Sequence, residues 1–264
     1  MAVETVLILG SGPSVTAAAG WPKARFDAVV AINNAWRVRE DWDYLIYPED
    51  FPEDRRPAAL REGQHVVTAA QFVPQQNRFG GFVYAGGTMA FTAAYWALGA
   101  LQPRVLAFVG CDMVYPASGP THFYGAGTAD PLRQDVTLQS LEAKAARLEV
   151  LAAERGCVCV NLSGEESRLV FRRGDLDALR PAGLGYPRIS AASVALARQR
   201  ECLLGYRVPS GRYWEETERF DAGELAYLDD LWITSLPRLG ATELGRASAL
   251  RVAGQLEKVR IAAG

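Results

Sequence analysis

The fold is decided by Val6-Leu7-Ile8-Leu9-Gly10-Ser11-Gly12-Pro13-Ser14. An apolar run this short, stopped by glycine, reads as a strand buried on both faces, and Pro13 suits the first turn of a following helix. Such a passage opens a βαβ unit. Outward from it the pattern repeats. Phe26 to Ile32 stops at Asn33-Asn34, Tyr44 to Tyr47 stops at Pro48-Glu49-Asp50, and a weaker run covers His65 to Ala69. Phe82 to Ala85 leads into Gly86-Gly87-Thr88, Val105 to Val109 ends at Gly110-Cys111-Asp112, and Cys157 to Leu162 supplies a further strand. Met89 to Leu101 has helical composition and length. Leu138, Leu141, Ala145, Leu148 and Leu151 recur at helical spacing, so an amphipathic helix is expected over Asp135 to Arg155, closed by Gly156. Short apolar strands alternating with helices predict a doubly wound, mainly parallel α/β sheet of Rossmann-like type, with helices on both faces.

After Arg173 the strand runs stop. Ile189 to Leu204, Ala222 to Trp232 and Leu244 to Val259 read as helices punctuated by Pro181, Pro187, Pro209 and Pro237. The expected division is a Rossmann-like nucleotide-binding domain over residues 1–173 and a smaller helical extension over residues 174–264. No internal repeat is visible.

Composition narrows the function classes. With 264 residues, 49% of them hydrophobic, the chain can bury a large core without metal or disulfide. A net charge of −2 argues against nucleic acid as a partner. Lys23, Lys144 and Lys258 are the only lysines and no G-x-x-x-x-G-K-[ST] string occurs, which excludes a Walker-type phosphate loop. His65 and His122 are the only histidines, too few for a multi-histidine metal centre. Cys111, Cys157, Cys159 and Cys202 form no C-x-x-C and read as reduced core residues. The first ten residues, MAVETVLILG, match neither a signal peptide nor a spanning helix, so a cytoplasmic location is expected.

In an open parallel sheet, ligands bind beyond the carboxyl ends of the strands, near the point where strand order reverses. Gly10, Ser11, Gly12, Pro13 and Ser14 fall there, combining glycines that permit close backbone approach with a helix start whose N–H groups suit an anion. Val15 stands where a G-x-G-x-x-G fingerprint needs its third glycine, which weakens a dinucleotide reading. Asn33 and Asn34 follow about twenty residues on, where an acidic ribose ligand would stand, and asparagine both donates and accepts. Gly86, Gly87 and Thr88 repeat the strand, glycine, helix-start arrangement as a second anion-competent turn, and Asp112 follows the most apolar strand. Each also has a plain structural reading: a tight connection, a helix cap, or a carboxylate that orders its loop. Their joint placement at strand ends points to a nucleotide or another phosphorylated ligand.

Met113 to Gln134, MVYPASGPTHFYGAGTADPLRQ, is rich in glycine, proline, threonine and aromatics. A stretch that long without secondary structure is usually functional, often a lid. It carries Tyr115, His122 and Tyr124, side chains suited to proton transfer or to hydrogen-bonding a phosphate leaving group. His65 reads as core or surface filler. Arg55, Arg56 and Arg78 suit either an acidic substrate or a solvated face.

The GxGPS turn Gly10 to Ser14, Asn33, the Gly86 to Thr88 turn, Gly110 to Asp112 and the unit Leu138 to Leu162 resemble a group of Rossmann-like transferases, over roughly residues 5 to 171. Two relatives share the pattern: the bacterial sialyltransferases of glycosyltransferase family 42 and the 6-hydroxymethylpterin pyrophosphokinase MptE-like (DUF115) proteins. The sialyltransferase resemblance implies a CMP-linked sugar as donor substrate, no tightly bound cofactor, and metal-independent transfer with inversion. It assigns Gly10, Ser11, Gly12 and Asn33 to the nucleotide, Asp112 to positioning, Tyr115 or Tyr124 to the phosphate, and His122 to the general base. This chain departs from that family in four places. Ser11 replaces an asparagine, Tyr47 stands where another is expected, Gly86-Gly87-Thr88 replaces Thr-Ser-Gly, and Ala126 occupies the second histidine of a His-x-x-Gly-His-like stretch. The pyrophosphokinase resemblance implies ATP and magnesium, with Asp112 and Asp50 as hard oxygen ligands. A nucleotide-binding module without catalysis is a third reading, and it accounts for Ala126 directly. The expected partners are a small-molecule nucleotide or nucleotide-sugar, and a homo-oligomer is compatible with the sequence.

Overall fold

The structure, a computed structural model, describes residues 3–115, 119–125, 135–177, 179 and 183–240. Its strands are β1 (Thr5–Leu9), β2 (Ala28–Ile32), β3 (Tyr44–Ile46), β4 (His65–Val67), β5 (Val105–Val109), β6 (Val158–Asn161) and β7 (Arg172–Arg173). They form one parallel sheet of seven strands in the order β4-β3-β2-β1-β5-β6-β7. The chain lays down β1 to β4 in one direction and then places β5 on the other side of β1. Leu9 is therefore in register with Ala31 of β2 and with Val109 of β5, and strand order reverses between β1 and β5.

Both sheet faces are dry, which is why the strand runs are continuous rather than alternating. Val6, Ile8, Val30, Leu106 and Phe108 pack on one side, and Leu7, Leu9, Val29, Ala107 and Val109 on the other. The first side is covered by the α-helices α1 (Ala69–Arg78), α2 (Phe82–Ala85), α3 (Met89–Ala100), α4 (Leu141–Ala153), α5 (Ala191–Leu204) and α6 (Ala222–Thr234). A one-turn helix, α7 (Pro237–Gly240), follows. The second side is covered by 3-10 segments, Pro13–Gly20 and Asn33–Arg37, together with Trp42, Leu179 and Leu184. The expected helix after Pro13 is thus 3-10. Its β-branched Val15 and Thr16 are poor α-formers, and Gly20-Trp21-Pro22 stops the segment after eight residues.

Two further expectations change. The run starting at His65 ends at Val67, because Thr68 and Gln71 form a capping box that starts α1. Phe82 to Ala85 is a helical turn, so the Gly86 turn follows a helix and not a strand. A short, fully buried apolar run carries no period that tells the two apart.

The helix expected over Asp135 to Arg155 begins as a 3-10 turn at Val136–Leu138 and continues as α4, which is buried all round. Its charged residues are sheathed by the C-terminal helices. Lys144 Nζ lies 2.6 Å from Asp229 of α6, and Arg147 makes bonds of 2.7 and 2.9 Å to Glu201 of α5. Arg238 of α7 donates to Glu149. Burial pushes the Glu149 carboxyl up to about 7 against the opposing pull of Arg238. Val194, Leu225, Leu228 and Trp232 share one apolar cluster with Val6 and Leu106. The helix expected over Leu244 to Val259 lies outside the described residues. Among the described residues no helix is long and apolar enough to cross a membrane.

Candidate functional site

The strand reversal brings the loops after β1 and β5 into contact, and glycine is what lets them touch. Gly10 N–H donates to Val109 O and Gly12 N–H to Gly110 O, both at 2.8 Å. A Cβ on Gly10 would stand 2.1 Å from Gly110 O, and one on Gly110, which sits at φ +71, would stand 2.6 Å from Val15 Cβ. These glycines serve backbone-to-backbone packing. Their amides are therefore not available to an anion, and Pro13 has none. Within the turn, the amides of Ser11 and Ser14 donate to no acceptor among the described residues.

Asp112 sits at the centre of this contact and is 7% exposed. Its Oδ2 accepts from Ser14 Oγ at 2.7 Å and from Ser163 Oγ at 2.9 Å, while Ser14 Oγ accepts from Gly110 N–H at 3.1 Å. Three strand ends, those of β1, β5 and β6, are tied together through one carboxylate oxygen. The other oxygen, Oδ1, is buried and has no partner among the described residues. Ser163 was not singled out from the sequence, although it stands just beyond the end of β6, where the strand-end rule would have placed it.

Three more side-chain oxygens share this condition. Ser11 Oγ after β1 and the Oδ1 atoms of Asn33 and Asn34 after β2 are buried without partners among the described residues. Asn34 is 3% exposed. Asn33 holds φ +51 and Met113, next to Asp112, holds φ +54, two of the three non-glycine residues with positive φ among the described residues. Strained backbone and unmet acceptors both gather at the carboxyl edge of the sheet, where functional sites store such costs.

The loop carrying His122 crosses the first glycine turn, since Phe123 N–H donates to Ser11 O at 3.0 Å. His122 and Gly125 close a tight turn through reciprocal backbone bonds of 3.1 and 3.0 Å. The imidazole is half-buried, hydrogen-bonded with Thr121 Oγ1 at 2.9 Å, stacked on Tyr124 at 4.9 Å and 6.4 Å from the Tyr115 ring. Burial lowers its pKa below the ordinary histidine value, which keeps the ring neutral at physiological pH. Residues 116–118 and 126–134, and with them Ala126, lie outside the described residues.

The second glycine turn is occupied by the protein's own groups. Gly87 N–H donates to Thr137 Oγ1 at 3.0 Å, and a Cβ on Gly87 would meet Tyr213 OH at 2.0 Å. Thr88 caps α3, its Oγ1 accepting from Phe91 N–H, and lies 3.9 Å from Met113 Sδ. Tyr213 OH donates to Asp135 at 2.6 Å. Gly86, at φ +88, packs on the buried Lys144 stem. Tyr47 stacks on Phe51 under the Arg56 guanidinium, while Asp50 and His65 are exposed. Cys111, Cys157 and Cys159 are buried thiols raised by desolvation, whereas Cys202 is exposed on α5, contrary to the core placement expected for all four. Comparisons of the chain with protein-family models, curated proteins and solved structures give no match.

Proposed function

We propose that the crevice between the β1 and β5 loops binds a nucleotide-activated donor, best read as a CMP-linked sugar, and that the chain is a nucleotide-dependent transferase of the glycosyltransferase type. The observation that carries this reading is the set of unpartnered buried oxygens on Ser11, Asn33, Asn34 and Asp112. An unmet buried acceptor costs roughly 1–3 kcal/mol, so such a set calls for a ligand rich in N–H and O–H donors. The amino group of a cytosine and the hydroxyls of a sugar supply them. The free amides of Ser11 and Ser14 offer donors for a single phosphate, in keeping with a monophosphate leaving group.

In this scheme the acceptor hydroxyl gives its proton to the neutral His122 ring as its oxygen bonds to the anomeric carbon. The bond from that carbon to the phosphate oxygen breaks, and CMP leaves with the electron pair. Tyr115 and Tyr124, the rings flanking His122, hold phenol O–H groups for the departing phosphate.

One observation favours a second reading. Asp112 Oδ1 is a free hard oxygen, suited to a magnesium ion arriving on ATP for a pyrophosphoryl transfer. Thermal unfolding with CMP, CDP, UDP and ATP, each with and without magnesium, decides between them. Saturation at one hundred times Kd adds about 2.7 kcal/mol, a rise of roughly 5–10 °C in a chain of this size. A shift with CMP and no metal supports the glycosyl transferase, a shift only with ATP and magnesium moves the assignment to the second reading, and no shift with any nucleotide removes both. Nucleotide binding with no transfer to any acceptor leaves the binding module.

A further inference from the structure

At the β7 edge of the sheet a cleft of about 560 Å³ shares no lining residue with the crevice. Arg172, Arg173, Arg188, Arg238, Tyr186 and Glu149 line it. Charged side chains on an edge strand are ordinary protection against strand pairing, and Arg172 and Arg173 of β7 alone would need no other account. Arg188 and Arg238 arrive from separate segments, however, and converge on the same concavity.

The charges there do not cancel. Arg238 is paired with Glu149. Arg173 donates to the carbonyl oxygens of Ser163 and Glu165, neutral acceptors that leave its charge in place. Arg172 and Arg188 have no hydrogen bond or ion pair among the described residues. Arg172 also acts on Glu149 through its charge, so among the described residues four guanidinium groups line one cavity with a single carboxylate between them, an excess of positive charge that an anion would offset. A net charge of −2 for the whole chain makes this a local feature and not part of a broad basic face.

We propose that this cleft is a second binding site, for a small oligoanion carrying two or more phosphate-type groups. Its volume lies within the range of roughly 300–1,000 Å³ typical of small-molecule pockets. Guanidinium forks bind phosphate oxygens two at a time, and separated arginines match separated phosphates along one chain. The site stands independently of the transferase reading.

The test is isothermal titration of the full chain with tripolyphosphate at two salt concentrations, comparing wild type, the double variant Arg172→Ser/Arg188→Ser, and Asn34→Ala as the crevice control. Both arginines are exposed and make no hydrogen bond among the described residues, so the double variant keeps the wild-type melting temperature. The expected result is salt-sensitive binding that weakens at least about tenfold in the double variant and is unchanged in Asn34→Ala. ATP bound as tightly as tripolyphosphate and lost in the same variant identifies a nucleotide as a source of the phosphates. Preference for tripolyphosphate identifies a free chain. Equal binding by wild type and double variant overturns the proposal, as does loss in Asn34→Ala alone. A 20-base-pair DNA duplex bound more tightly than either and released by the double variant overturns the small-ligand assignment.

Discussion

Asp112→Asn separates the two jobs of one side chain. Oδ2 ties the strand ends through Ser14 and Ser163 at 2.7 and 2.9 Å, and Oδ1 is free for a ligand. Asparagine keeps one oxygen, which turns toward the serines and leaves an NH2 where the free oxygen was. Each serine bond drops from the strength of a charge-assisted bond to that of a neutral one, about 1 kcal/mol apiece. Offsetting this, a carboxylate 7% exposed with one unmet oxygen no longer has to be kept from water, which relieves about 1–3 kcal/mol. Unfolding in urea should therefore move by no more than about 1 kcal/mol. Binding is a different matter, because a donor now opposes a donor. The nucleotide that stabilises the wild type should bind roughly 30-fold to 1,000-fold more weakly, equivalent to about 2–4 kcal/mol. Calorimetric titration that finds affinity within threefold of wild type would mean that Oδ1 meets no ligand donor. A stability loss above about 3 kcal/mol would make the carboxylate a structural tie and nothing more.

Gly10→Ala should cost at least about 3 kcal/mol in urea unfolding, because the added Cβ stands 2.1 Å from the Gly110 carbonyl oxygen and neither backbone can retreat without breaking the β1–β5 register. An unchanged midpoint would mean the loops part freely. His122→Ala should abolish transfer while leaving nucleotide affinity within about threefold, and the acid limb of wild-type kcat/KM should fall below the ordinary histidine value of 6.5, since burial disfavours the imidazolium. Full turnover in the variant ends its role as base. Glu149 is held at about 7 against an ordinary 4.5, so the folded chain binds this proton more tightly than the unfolded one. The stability it adds is complete below pH 4.5 and is lost as pH rises to about 7, by roughly 3 kcal/mol. Glu149→Gln, which retains an acceptor for Arg238, should flatten that slope in unfolding measured from pH 4.5 to 8, and a slope that persists places its origin elsewhere.

Much of the fold is legible in the sequence because each parallel strand carries its own burial. Val105 to Val109 is apolar throughout since both sides are covered, and its bounds agree with β5 residue for residue. The exceptions are informative. Phe82 to Ala85 has the same continuous apolar character yet is helical, and α1 begins at a capping box that cuts short the run starting at His65. The spacing over Leu138 to Leu151 predicts an amphipathic helix, but α4 is buried all round, and its charged residues Lys144, Arg147 and Glu149 meet partners on different sides rather than water. At the candidate site, strand-end position picked out Ser14, Asn33, Asn34 and Asp112. What each atom does there was not legible, since the same residues suit caps, cradles and ties.

Strand length, apolar continuity and glycine stops are local properties, so the parallel sheet and the edge on which its polar residues collect can be read from the amino acids alone. That the glycine amides are taken by the facing loop, that Asp112 keeps one oxygen free, and that the charges of α4 are sealed under the C-terminal helices emerges only when the chain is folded. The cause is separation along the chain. Ser14 meets Asp112 across 98 residues and Lys144 meets Asp229 across 85. A hydrogen bond joins two groups, and the sequence near one of them carries no mark of the other.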